Sequence, residues 1–181
     1  LAEEDTFAPV WHSAPRRAVW LGINLVTALL ASSVINLFQD TIEKVVALAV
    51  LMPIVASMGG IAGTQSLTIL IRAMAMGQIT HRNQLWLVGR ESLVGALNGC
   101  FWALVIAATT AIWFGDPTLG FIIACAMLIN LVTAGLAGAG LPIVLRKLEI
   151  DPALAGGVLV TTITDVMGFL TFLWLAALYY G

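Results

Sequence analysis

Asp165 is the only charged residue between Pro152 and the last residue, Gly181. It sits in the run TTITDVMGFLTFLWLAALYY. A lone carboxylate deep in an apolar segment costs about 3 kcal/mol or more. A cation, a proton or a buried partner must offset that cost. Helical spacing puts Thr161, Thr162, Gly168 and Phe169 on the Asp165 face. Hydroxyls and a glycine beside a carboxylate describe a wet, oxygen-rich lining suited to a hard cation. The alternative is a structural carboxyl, protonated or hydrogen-bonded to Thr or Gln of another helix.

A second constellation is PIVASMGGIAGTQSLTILIRAMAMG, Pro53 to Gly77. The run Gly59-Gly60-Ile61-Ala62-Gly63 predicts an interrupted or bent helix, with Thr64, Gln65 and Thr68 as polar contacts along a path. A broken helix would free carbonyl oxygens near the depth of Asp165, which lies about 20 Å into its helix, counted from Pro152. Such backbone is tolerated in a membrane only under protein or against a water-filled cavity. Small residues also let helices approach closely, which explains the same sequence without a path.

Other groups carry weaker signals. Glu91 either neutralises Arg90 or Arg82 or lines an inner vestibule. Glu43 and Asp40 either gather cations at an outer mouth or sit in a solvated loop. Gly95 and Gly99, and Gly135 and Gly138, form smooth packing faces. His12 and His81 lack ligand-spaced partners for zinc, and Cys100 and Cys125 lie in apolar runs as small core residues. No intramembrane histidine is present to activate a nucleophile. An aspartyl protease would need a second carboxylate facing Asp165.

The elements that must position these groups are long and apolar. The chain is 60% hydrophobic and 10% charged over 181 residues, against about 25% charged in soluble domains. Five apolar stretches, at about 18–38, 41–76, 85–114, 119–145 and 152–180, are each long enough to cross a bilayer. Gly115-Asp116-Pro117-Thr118 marks a turn, and Asp151-Pro152 marks an N-cap followed by a first helical residue. Residues 1–15 read as a polar linker from a missing or removed cytoplasmic region. The expected fold is an all-α integral membrane protein with five spans.

Arg16 and Arg17, then Arg72, Arg82 and Arg90, then Arg146 and Lys147 fall on one side of such a topology, with only Lys44 opposite. That asymmetry predicts a cytoplasmic N-terminus and an outer C-terminus. The net charge of −2 and the lack of a basic stretch give no sign of nucleic-acid binding.

The segments TIEKVVALAVLMPIVASMGGIAGTQSLTILIRAMAMG and DPALAGGVLVTTITDVMGFLTFL together resemble the membrane domain of the MgtE family of magnesium channels and transporters. The resemblance extends from Arg16 onward. It implies a homodimer in the inner (plasma) membrane, with a pore on the two-fold axis lined by the second and fifth spans. It implies that two copies of Asp165 hold a largely hydrated Mg2+, aided by carbonyls around Thr161. Gly157, Gly60, Gly63 and Thr64 fall at the remaining expected metal positions. Gln65, Thr68, Thr162, Gly168 and Glu43 fall along the pore or its mouth. The family usually adds a cytoplasmic Mg2+-sensing acidic domain and paired CBS domains. This chain has Ile61, Thr64 and Gly157 where family members often carry asparagine, so passage of Mn2+, Co2+ or Ca2+ stays open. A proton- or sodium-coupled exporter and a non-transporting membrane anchor are the competing readings.

Overall fold

The computed structural model describes residues 9–181, which form helices joined by short connections, with no strand among them. The helices are α1 (Val10–Asn36), α2 (Gln39–Lys44), α3 (Ala47–Ala75), α4 (Gln84–Phe114), α5 (Pro117–Lys147) and α6 (Pro152–Tyr180). All but α2 are long and apolar enough to cross a membrane.

Local chemistry sets most of the boundaries. Asp116 caps α5 by accepting from the Thr118 and Leu119 amides, with Pro117 as the first helical residue. Asp151 caps α6 the same way through the Ala153 amide, ahead of Pro152. Helix α4 ends at Gly115 in the left-handed region, φ 66°. Helix α3 ends in a Schellman turn at Gly77, φ 67°, where the Gln78 amide reaches the Ala73 carbonyl and the Gly77 amide reaches that of Met74. Helix α5 ends in the same turn, but the left-handed residue is Glu149, φ 59°.

One expectation needs correction. No interruption occurs at Gly59-Gly60: α3 runs unbroken through both. The break lies earlier, at Val45-Val46 between α2 and α3, where Val45 turns to φ −130°, ψ 83°. In an apolar layer an opened turn has no water to satisfy it, so a continuous ladder is favoured over the cost of about 1 kcal/mol per helical glycine. The first helix starts at Val10 and carries Pro15 inside it, so the stretch expected as linker is helical from Val10. Residues 1–8 of that stretch lie outside the described residues.

Helix α5 is the hub, packed against α3, α4 and α6, while α1 leans on α6. Toward the end that carries Asp116, Leu48, Leu51 and Val55 of α3 meet Ile123 of α5 and Phe172 and Leu173 of α6. Helices α4 and α5 come closer than side chains allow. A Cβ on Gly95 would lie 2.4 Å from the Leu131 carbonyl oxygen, one on Gly120 2.6 Å from that of Ala107, and one on Gly135 2.5 Å from that of Glu91. Lipid tails supply no hydrophobic drive between helices, so backbone-to-backbone van der Waals contact does the holding. Large apolar side chains such as Leu97, Leu104 and Ile112 remain exposed on the outer faces, as a lipid-facing surface requires.

Candidate cation site

Helices α3 and α6 pack together, and a cleft of about 770 Å³ opens along their shared edge. Six of the predicted residues meet there: Asp165 and Thr161 from α6, and Gly60, Thr64, Gln65 and Thr68 from α3. Ala56, Ser57, Ile61 and Ile69 complete the lining. Positions 57, 60, 61, 64, 65 and 68 fall at the three- and four-residue spacing of one helix face, so the helix period alone delivers the wall. Thr161 and Asp165, four apart, face it from α6.

The threonines present oxygen, not hydrogen, to the cleft. Thr64 Oγ1 donates to the Gly60 carbonyl at 2.8 Å, Thr68 Oγ1 to that of Thr64 at 2.8 Å, and Thr161 Oγ1 to that of Gly157 at 2.9 Å. Each hydroxyl proton is committed to its own helix, leaving lone pairs as acceptors. Asp165 is half-buried, and its carboxylate makes no hydrogen bond or ion pair with any described residue. A carboxylate ringed by acceptors offers a cation, or the outward-pointing protons of its water shell, what they need. Among the described residues no group of three or more His, Cys, Asp or Glu could close around a bare ion.

The remaining predicted residues lie elsewhere. Gly157 sits one turn along α6 from Thr161, and its part is to accept the Thr161 hydroxyl. Thr162 donates to the Val158 carbonyl at 2.7 Å and does not line the cleft. Gly63 is buried at the crossing of α3 with α6, where a Cβ would lie 2.4 Å from Val160 Cγ1. Gly168 is buried against Asn130 and Val55, on the side of α6 turned from the cleft. Glu43 lies on α2, where Gln39 Nε2 donates to it at 2.9 Å, in a separate pocket with Ser32 and Asn36. Glu91 is 3% exposed and off the cleft, bonded to Ser66 and paired with Arg90. A cavity of about 80 Å³ beside it shares Gln65 and Ile69 with the cleft wall.

Asn130 was not anticipated. It is fully buried, its Nδ2 donates to the Val55 carbonyl at 2.9 Å, and its Oδ1 has no partner. Gly59 of α3 and Gly168 of α6 leave the room it occupies, since a Cβ on either would sit within 2.3 and 2.8 Å of Nδ2. The signal was present: Asn130 is the single amide side chain of α5, and a buried amide needs a partner as a buried carboxylate does.

Comparison with known proteins gives the family. The family model for MgtE, a divalent cation transporter, matches residues 52–175, which hold every residue of the cleft. The magnesium transporter MgtE of Bacillus subtilis is 37% identical over 172 residues, 95% of this chain and 38% of the relative. That of Thermus thermophilus is 35% identical over 162 residues, 90% of this chain and 36% of the relative. That of Enterococcus faecalis is 32% identical over 167 residues, 92% of this chain and 37% of the relative. The chain thus spans well under half the length of these relatives. With five membrane-length helices and a family match across most of its length, the chain is a multi-pass membrane protein that belongs to the MgtE family of divalent cation transporters, not to an enzyme family.

Proposed function

We propose that this chain forms the membrane part of a magnesium channel or transporter, in which a hydrated Mg2+ crosses at Asp165. The observation that carries the reading is the unpartnered Asp165 carboxylate facing a cleft walled by threonine lone pairs. Mg2+ sheds water reluctantly, so a wall of acceptors that holds its shell suits it better than a tight cage. At an effective dielectric of about 20, one carboxylate about 5 Å away attracts a divalent ion by roughly 6–7 kcal/mol. A second copy facing the first would double the charge and close the cleft into a pore, which makes a homodimer lined by α3 and α6 the working assembly.

The basic residues Arg72, Arg82, Arg90, Arg146 and Lys147, set against Lys44, support a cytoplasmic N-terminus in a plasma (inner) membrane. Inward flow then follows the membrane potential, worth about 4.6 kcal/mol per 100 mV for a divalent ion. Longer relatives leave room for cytoplasmic regulatory segments, Mg2+-sensing acidic and CBS domains among them, acting on this part. Mg2+ is the assigned cargo; Mn2+, Co2+ and Ca2+ are competitors to be ranked.

The test is Mg2+ uptake into liposomes carrying a fluorescent Mg2+ indicator. Asp165→Asn is expected to reduce uptake at least tenfold, consistent with removing most of that attraction. Uptake by the folded variant equal to that of the parent would reject the Asp165 role. Flux that follows imposed proton or sodium gradients would favour the exporter, and no flux from the parent would favour the anchor.

A further inference from the structure

We propose that the cytoplasmic end of the bundle holds the phosphate of an anionic phospholipid headgroup. The site is a cavity of about 310 Å³, separate from the cation cleft, where two connections converge. The α3–α4 connection and the first residue of α4 supply Thr80, His81 and Gln84, and the last turn of α5 supplies Arg146 and Lys147. The proposal rests on the orientation read from the basic residues, since the cytoplasmic leaflet is the anionic one.

Both walls are built in advance. The Schellman turn at Gly77 fixes the end of α3. Beyond it Asn83 staples the connection, accepting from the Thr80 amide at 2.8 Å and donating to the Gln78 carbonyl at 2.9 Å. The opposite wall is held by the turn at Glu149, where the Ile150 amide reaches back to Leu145. The cationic rim therefore forms without a ligand to order it.

Arg146 and Lys147 also face the carbonyl end of α5, and compensation of that helix dipole is the bland account of them. It does not explain why His81, Thr80 and Gln84 converge on the same space from another connection. Those side chains add donors, as a phosphate with several acceptor oxygens requires. The apolar part of the lining favours a lipid over a soluble anion. Met74, Ile79 and Ile143 line the same cavity, the two isoleucines buried at 8% exposure each, so it combines cationic and apolar walls. That arrangement suits a headgroup phosphate with its glycerol and first acyl carbons, whereas free phosphate would use the rim alone.

The experiment is native mass spectrometry of the full chain in detergent, titrated with phosphatidylglycerol and, separately, with phosphatidylcholine. Arg146→Gln with Lys147→Gln is expected to weaken phosphatidylglycerol retention about 25-fold, about fivefold for each cation removed. Arg82→Gln, whose side chain does not line the cavity, is expected to leave retention unchanged. If the double variant does not fold, Lys147→Gln alone makes the comparison, with an expected loss of about fivefold. Equal retention by variant and parent overturns the site, as does equal retention of phosphatidylcholine. Displacement of the lipid by millimolar inorganic phosphate would make a soluble anion the occupant and overturn the lipid assignment. The readout involves no flux, and Asp165→Asn is expected to retain the lipid, so this proposal and the transport reading fail separately.

Discussion

Ser66 Oγ donates a 2.8 Å hydrogen bond to Glu91 Oε2, joining α3 to α4 inside the apolar layer. The other carboxylate oxygen takes Arg90 Nη1 at 2.7 Å, and the Arg90 side chain is 52% exposed while that of Glu91 is 4% exposed. The arginine thus carries its charge toward the surface while the carboxylate stays within. Ser66 is next to Gln65, which lines the cleft, so the bond helps set how α3 is turned about its axis. Of the two roles weighed for Glu91, neutralising Arg90 matches its contacts.

Removing the Ser66 hydroxyl leaves a buried charged oxygen short of a donor. Ser66→Ala is expected to cost about 1.5–3 kcal/mol, read as a lower unfolding temperature in detergent. In a Glu91→Gln background the same change is expected to cost about half as much or less, because the charge is gone. Equal losses in the two backgrounds would sink the coupling.

Gly59 and Gly60 are adjacent but have separate jobs. A Cβ on Gly59 would fall 2.3 Å from Asn130 Nδ2, whereas one on Gly60 meets nothing within 4 Å. Gly59→Ala is expected to destabilise by about 1–3 kcal/mol as Asn130 is pushed from Val55. Gly60→Ala is expected to hold or raise stability by up to about 1 kcal/mol through helix propensity, yet slow Mg2+ uptake because its methyl enters the cleft. Thermal unfolding and liposome flux, measured on both, separate the roles; matching losses of stability would refute the division.

Much of this was legible in sequence because period and charge are local properties. The five spans, the turn at Asp116, the capping role of Asp151, and the polar contacts of Thr64 and Thr68 follow from residue type and spacing, whereas the capping role of Asp116 emerged from the structure. The packing partners of glycines were not legible. Gly168 shares a face with Asp165 by rough spacing, yet the α6 surface divides between them, one side turned to the cleft and the other to Asn130. The same holds for Gly59-Gly60, read as a weak point when one glycine makes room for an amide on another helix. Only three-dimensional contact distinguishes a glycine that loosens a helix from one that lets a neighbour in.

Tyr180 Oη donates to Asp116 Oδ2, tying the end of α6 to the start of α5. That hydroxyl, followed by the Leu119 and Thr118 amides, holds the Asp116 carboxyl below its ordinary range, against the opposing effect of burial. A depressed folded-state value means the stabilisation is complete above the unfolded value, about 3.9, and is lost as pH falls through the folded one. Tyr180→Phe is therefore expected to cost about 1 kcal/mol near neutral pH. The gap to the parent should narrow as the solution is brought below about pH 4. A gap that stays constant in thermal melts down to about pH 3 would count against this linkage.

Glu149 holds a left-handed backbone, φ 59°, at the end of α5. A side chain there costs about 1–2 kcal/mol, and glycine avoids the cost. Glu149→Gly is expected to raise the unfolding temperature in detergent, equivalent to about 1 kcal/mol after the unfolded chain's added freedom is allowed for. A fall instead would mean that the glutamate side chain contributes a contact worth more than the strain.

Three of the glycines between α4 and α5 face carbonyl oxygens, not side chains. A bulkier neighbour can be trimmed by mutation, but a main-chain oxygen has nothing to trim, so a change at Gly95, Gly120 or Gly135 has no simple second-site remedy. Sliding α4 along α5 by a single residue would drive side chains into those same oxygens. The two helices are therefore keyed to one register and behave as a single plank, and rearrangement within the bundle falls to the helices around it.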